Sequence, residues 1–232
     1  MEKKSIFPAI SRFSALVNVL IPELYFFTGG VALRLYISSK TKQNPESCFR
    51  NHGDIDVLIS SDGIERIIPT LLAQKHYRFI DSAYLGLQTT DNHSPVENHH
   101  YALYDRDYDV EFGIFEVIAE DDGIDYVYTN RYLNPHPKEV FHGNSIEIGK
   151  ILLPLVSVEW LSHNASFYQS IRHNDDLALI TPYCDEKKTQ ALRSQAIKKP
   201  VNYSTYVDWI EWRHYRRQHL FTNPFGKGEI NG

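Results

Sequence analysis

Apolar positions along the chain change period several times, and each change marks an element. Ile10, Phe13, Leu16, Val17 and Leu20 recur at helical spacing, which predicts an N-terminal amphipathic helix ended by Pro22. Leu24 to Phe27 is a short apolar run stopping at Gly29-Gly30, the pattern of a strand entering a turn. Val31 to Ile37 reads as a helix, and the polar stretch Ser38 to Asn51, with Pro45, reads as a loop. Asp54 to Ser60 (Asp-Ile-Asp-Val-Leu-Ile-Ser) predicts a strand. Ile64 to Gln74 predicts a helix with Pro69 as a kink or early break. Short strands are expected at Arg78 to Asp81, Leu85 to Thr89, His99 to Tyr104 and Asp109 to Phe115.

The character changes after Lys150. Ile151 to Val156 reads as an apolar connection holding Pro154. Helical segments follow at Val158 to Ser170, Asp175 to Ile180, Glu186 to Ile197 and Thr205 to Leu220, the last opened by a Thr205-x-x-Asp208 capping pattern. The chain therefore divides into an α/β part, residues 1–153, and a C-terminal helical part, residues 154–232. The tail from Asn223 to Gly232 is expected to be loose.

Composition narrows the class. The 232 residues, 42% hydrophobic and 23% charged, are enough for a sizeable core. Fifteen Tyr, 12 Phe and 3 Trp predict ring-lined packing. A net charge of −5 argues against nonspecific nucleic-acid binding by the molecule as a whole. Cys48 and Cys184 match no metal or redox spacing and suit a reducing compartment. Pro8, Arg12, Asn18 and Pro22 interrupt any signal-peptide core behind Lys3-Lys4, and no run approaches membrane-spanning length. A cytoplasmic protein without membrane contact is expected.

The candidate chemistry lies in the first half. Asp54 and Asp56 are two residues apart on a predicted strand, so both carboxylates project from one face while Ile55 and Val57 face the core. Like charges held together are tolerable with a dication between them or with full solvation. Asp109 opens a second predicted strand, Tyr108-Asp109-Val110-Glu111-Phe112. If the two strands are neighbours, three carboxylates converge in a manner suited to one or two Mg²⁺ ions bridging substrate phosphates. Glu111 points to the same side as Asp109 and is a candidate fourth carboxylate or supporting group. Gly29-Gly30 lets the backbone approach a phosphate at a helix N-terminus, and Thr28 adds a hydroxyl. No GxxxxGK[ST] pattern is present at this turn. Alone, a Gly-Gly is a turn and an Asp-x-Asp is a solvated strand. Their order, followed by a third strand-borne Asp, carries the functional reading.

These residues resemble a known family. Phe27-Thr28-Gly29-Gly30 followed by Asp54-Ile55-Asp56-Val57 resembles the signature of the DNA polymerase β-like nucleotidyltransferase superfamily. Arg50-Asn51-His52-Gly53-Asp54-Ile55-Asp56 resembles the approach to the acidic pair in aminoglycoside 2″- and lincosamide nucleotidyltransferases, and Tyr108-Asp109-Val110 resembles their third-carboxylate strand. Gly149-Lys150 through Leu161, and Arg172-His173-Asn174-Asp175-Asp176-Leu177, are similar to their C-terminal region. The resemblance implies an α+β nucleotidyltransferase fold, a mixed β-sheet flanked by helices and followed by a C-terminal helical region. It implies Mg²⁺ held by Asp54, Asp56 and Asp109, which are also the catalytic carboxylates. Thr28, Gly29, Gly30, Arg50 and His52 would bind the nucleotide. The implied reaction moves a nucleoside monophosphate from a nucleoside triphosphate, ATP being the first candidate, to a hydroxyl. The acceptor would be a small molecule such as an aminoglycoside, or else a tRNA end or a protein side chain as in toxin-like members.

Two other classes compete. A metal-dependent hydrolase would use His52, Asp54, Asp109 and His99 as a mixed ligand set, preferring Zn²⁺ or Mn²⁺ and leaving Gly29-Gly30 without a role. A noncatalytic binding protein on the same fold would keep the carboxylates without turnover. The basic run Arg213-His214-x-Arg216-Arg217, beside Trp209 and Trp212, reads as a solvated helix face with a packed apolar one.

Overall fold

The computed structural model describes residues 5–20, 25–44, 54–87, 96–119, 125–129, 132–136, 144–148, 151–166 and 171–198. Expectations for Arg50, His52, Gly149, Lys150, the helix at 205–220 and the tail lie outside these residues.

The described elements are α1 (Phe7–Leu20), β1 (Tyr25–Thr28), α2 (Gly29–Thr41), β2 (Asp54–Ser60), α3 (Ser61–Ala73), β3 (Tyr77–Leu87), β4 (Val96–Asp105) and β5 (Val110–Ala119). They continue with β6 (Asp125–Thr129), β7 (Tyr132–His136), β8 (Asn144–Ile148) and β9 (Ile151–Leu155). The remainder are α4 (Val158–Ser166), α5 (Ile171–Ile180), α6 (Glu186–Gln195) and the two-residue β10 (Ile197–Lys198). The fold is α+β. Its central sheet runs β3-β4-β5-β2-β1-β9-β8, and β6, β7 and β10 extend from the far end of β5. The sheet is mixed: β2 is parallel to β5 and β1 to β9, while β1–β2, β4–β5, β3–β4 and β8–β9 are antiparallel.

Alternation decides which face is covered by what. On β2, Ile55, Val57 and Ile59 are fully buried, and register places them beside Phe112 and Ile114 of β5 and Phe27 and Tyr25 of β1. Phe13 of α1 stacks on Phe112, centroids 4.6 Å apart, and meets Tyr25 and Phe27 edge-on. This aromatic cluster seats α1 on the face opposite Asp54 and Asp56. The buried cluster continues into Val158, Trp160, Leu161 and Ile180, so the C-terminal helices share the sheet's core. An ion pair between Arg34 of α2 and Asp176 of α5, 2.9 Å apart, joins the same regions.

Several local expectations change. α2 begins at Gly29 and runs to Thr41, so the two glycines form its first turn and Ser38 to Thr41 is helix, closed by Lys42 in the left-handed conformation. α3 begins at Ser61 because the Ser60 hydroxyl accepts the Gly63 N–H at 3.2 Å, and it runs through Pro69 to Ala73. The two strands expected between Arg78 and Thr89 are one, held by continuous pairing with β4 around a bulge between Phe79 and Asp81. The segment expected as an apolar connection, Ile151 to Val156, contains strand β9, so residue 153 lies inside the sheet. Among the described residues no helix is long and apolar enough to cross a membrane.

Candidate active site

The register of three strands builds the site. Thr28 of β1 pairs with Asp56 of β2, and Asp56 pairs with Gly113 of β5. One step along, Asp54 pairs with Glu111, and Glu111 pairs on its other side with Tyr104 of β4. Paired residues point to the same side of a sheet. Thr28, Asp56, Asp54, Glu111 and Tyr104 therefore share the face opposite α1. Neighbouring strands lie about 4.8 Å apart, so the directly paired Asp54 and Glu111 are cross-strand neighbours. Gly113 contributes no side chain beside Asp56.

Asp109 stands one residue before the strand it was expected to open. Asp109 is not on the strand: β5 starts at Val110, and Asp109 ends the preceding turn with φ 57°. That turn is wound by Asp105, whose carboxylate accepts the N–H groups of Asp107 and Tyr108 at 3.1 and 3.3 Å, while the Asp109 N–H donates to the Asp105 carbonyl at 2.9 Å. Asp109 is exposed, and its carboxylate accepts a hydrogen bond from the Tyr104 hydroxyl. Glu111, 6% exposed, is instead the carboxylate in register with Asp54. Burial, with the bond to Asp109 second, pushes the Tyr104 hydroxyl up to about 12, so the phenol stays a proton donor at neutral pH.

The phosphate-binding candidates sit where β1 becomes α2. Gly29 has φ +67°, and a Cβ there would stand 2.3 Å from Asp56 Oδ2. The Asp56 carboxylate thus rests against the first residue of α2, where the helix dipole favours negative charge. Thr28 is the residue before the helix but makes no side-chain cap. Its hydroxyl oxygen is buried and has no hydrogen-bond partner. A buried hydroxyl in that state costs free energy unless something else binds it.

Among the described residues no three His, Cys, Asp or Glu side chains already stand at metal-ligand spacing. Binding a dication thus requires Asp54, Asp56 and Glu111 to turn toward one another, which their shared face permits. Arg50 and His52 lie outside the described residues. His99 is on β4 with only its backbone described, opposite Tyr84 of β3. Glu111 was legible as an acidic position on a strand; what the sequence lacked was the register that aligns it with Asp54.

No protein-family model matches the chain, and no curated protein matches it. Among solved structures it is similar to lincosamide antibiotic adenylyltransferase LnuA with lincomycin bound. That match has 14% identity and TM-score 0.46, covering 79% of this chain and 99% of the other. It is also similar to an antigenic nucleotidyltransferase-like protein from Paracoccidioides brasiliensis. There the identity is 13% and the TM-score 0.45, covering 92% of this chain and 91% of the other. Neither likeness assigns a role to a residue of this chain.

Proposed function

We propose that the protein is a Mg²⁺-dependent nucleotidyltransferase that moves a nucleoside monophosphate from a nucleoside triphosphate, ATP first among the candidates, to a hydroxyl acceptor. One observation carries this reading: strand register puts Asp54, Asp56 and Glu111 on one face of the sheet, beside a helix start whose Gly29 and Thr28 suit a phosphate. Asp54, Asp56 and Glu111 would hold the metal. Bound Mg²⁺ neutralises charge on the triphosphate and orients it.

The chain's own groups supply the rest. The Thr28 hydroxyl and the first N–H groups of α2 bind phosphate oxygens. The absence of a side chain at Gly29 keeps Asp56 close to them. An acceptor hydroxyl attacks the α-phosphorus, forming an O–P bond as the bond to pyrophosphate breaks. Asp109, exposed at the rim and oriented by Tyr104, takes the hydroxyl proton. Arg50 and His52 are further candidates for phosphate contact. The acceptor we favour is a small hydroxylated molecule of aminoglycoside type. The chain's net charge of −5 disfavours RNA.

The test incubates the protein with each α-labelled nucleoside triphosphate, Mg²⁺ and an acceptor pool of aminoglycosides, lincosamides, total RNA and cell lysate. Transfer by the wild type but not by the Asp54→Asn/Asp56→Asn double variant is expected, and the labelled fraction names the acceptor. No transfer and no Mg²⁺-dependent nucleotide binding would leave a binding protein on this fold.

A further inference from the structure

Arg12 is the only charged residue of α1 (Phe7–Leu20), a helix whose Ala9, Ile10, Phe13 and Val17 pack into the core. Its guanidinium crosses to a turn more than ninety residues away in sequence. There Nη2 donates to the Asp105 carboxylate, and Nη1 donates to Asp107 Oδ2 at 2.6 Å. The guanidinium also lies 4.5 Å from the Tyr108 ring centroid and 5.7 Å from that of Tyr77. Asp105 is completely buried, so its charge is tolerable only because this cation and two backbone N–H groups meet it. Burial alone would lower the Arg12 pKa, but the hydrogen bonds to Asp105 and Asp107 outweigh it, and the side chain stays charged.

The segment held this way is the entry to β5. Asp105 ends β4 in register with Val110, the first residue of β5. Between them the chain turns through Asp109 in the left-handed conformation, a state that costs a non-glycine residue free energy and persists only where its surroundings impose it. A second tie fixes the other flank, the Arg106 N–H donating to the His76 carbonyl at 2.9 Å. Two residues past the turn stands Glu111, level with Asp54. A slip of one residue at this entry would put Glu111 on the α1 face and Val110 or Phe112 among the carboxylates.

We infer that Arg12 is a positioning residue for the acidic site. Through this one side chain, α1 on one face of the sheet fixes the turn that places Asp109 and sets Glu111 against Asp54 on the other face. The role of Glu111 as a metal ligand rests on the function proposed above; the fixing of the turn does not.

The test compares wild type, Arg12→Met, Arg12→Lys and Asp107→Asn by amide hydrogen exchange and by titration with Mn²⁺ alone, with circular dichroism to verify folding. Arg12→Met is expected to raise exchange of the 107–111 amides by about tenfold while the β2 and α3 amides keep their protection. It should also weaken Mn²⁺ binding by about tenfold, equivalent to about 1.4 kcal/mol. Arg12→Lys, which keeps the charge and one bond, should recover part of both. Unchanged exchange at 107–111, or a rise of the same size across the whole sheet, would overturn the inference. If the wild type itself binds no Mn²⁺, the metal reading fails and the exchange result alone decides whether Arg12 fixes the turn. If Arg12→Met does not fold, Asp107→Asn, at an exposed carboxylate, decides in its place: faster exchange confined to 107–111 supports the inference, and unchanged exchange refutes it.

Discussion

Gly29→Ala is the substitution for which the structure gives the sharpest expectation. Two separate costs arise. The backbone at Gly29 has φ +67°, where an L-residue loses roughly 1–2 kcal/mol relative to glycine. The added methyl would also stand 2.3 Å from Asp56 Oδ2, closer than real Cβ contacts, and a tight 3.1 Å from its carboxyl carbon. Asp56 must therefore rotate or the start of α2 must move. The first cost acts on stability and, at about 2–4 °C per kcal/mol for a chain of this size, lowers the unfolding midpoint by a few degrees. The second acts on function, because it moves a proposed metal ligand away from the helix start. Thermal unfolding and Mg²⁺-dependent nucleotide binding by calorimetry, measured on one preparation, separate the two. The expected result is a folded protein, a modest drop in midpoint and at least a tenfold loss of nucleotide affinity. The companion Gly30→Ala, at a residue without positive φ, should cause no comparable loss of stability. If Gly29→Ala kept both its midpoint and its nucleotide affinity, the packing of Asp56 on Gly29 would play no part in the site.

Further expectations follow from particular contacts. Thr28→Val removes a buried hydroxyl that has no partner, so stability should hold or rise by up to about 1 kcal/mol while nucleotide affinity falls; a parallel loss of both would assign Thr28 to the fold alone. Glu111→Gln should abolish transfer as fully as Asp54→Asn, whereas Asp109→Asn should slow turnover with Mn²⁺ affinity nearly unchanged, and a reversed order would restore Asp109 as the third ligand. Asp176→Ala leaves Arg34 half-buried without its partner and should cost about 3 kcal/mol, read by chemical denaturation. His163 is fully buried, and burial, assisted by the positive charge of Arg193, lowers its pKa to about 4. The unfolded chain then takes up a proton that the folded chain refuses. Stability should be complete above pH 6.5 and fall progressively as pH drops toward 4. His163→Gln should flatten that part of the pH–stability curve, and an unchanged slope would contradict the assignment.

The parts of this molecule that could be read from its sequence depend on local pattern. Asp54 and Asp56 declare their shared face because strand alternation is local, and the burial of Ile55, Val57 and Ile59 follows from the same alternation. The order of strand, Gly-Gly, helix and Asp-x-Asp strand is also local, and it carries over to β1, α2 and β2 with α2 starting earlier than its apolar positions suggest. What escaped depends on partners distant in the chain. Ser82 and Ala83 are weak strand formers, yet β3 runs through them because β4 pairs along its whole length. Pro154 reads as a connection, yet β9 tolerates it because only the following residue, Leu155, pairs with β1. The place of Asp109 in a turn and not on β5 depends on a side chain, Asp105, that winds that turn with its own carboxylate and on an arginine from the first helix. Neither has a periodic signature. The alignment of Glu111 with Asp54 exists only once β2 and β5 pair.

The most direct test of the central claim is equilibrium binding of a nucleoside triphosphate to the wild type and to the Asp54→Asn/Asp56→Asn variant, with and without Mg²⁺. Saturable binding by the wild type that requires Mg²⁺ and disappears in the folded double variant is expected. Binding of equal strength by both proteins, or binding indifferent to Mg²⁺, would contradict a carboxylate-held metal and the nucleotidyl transfer built on it.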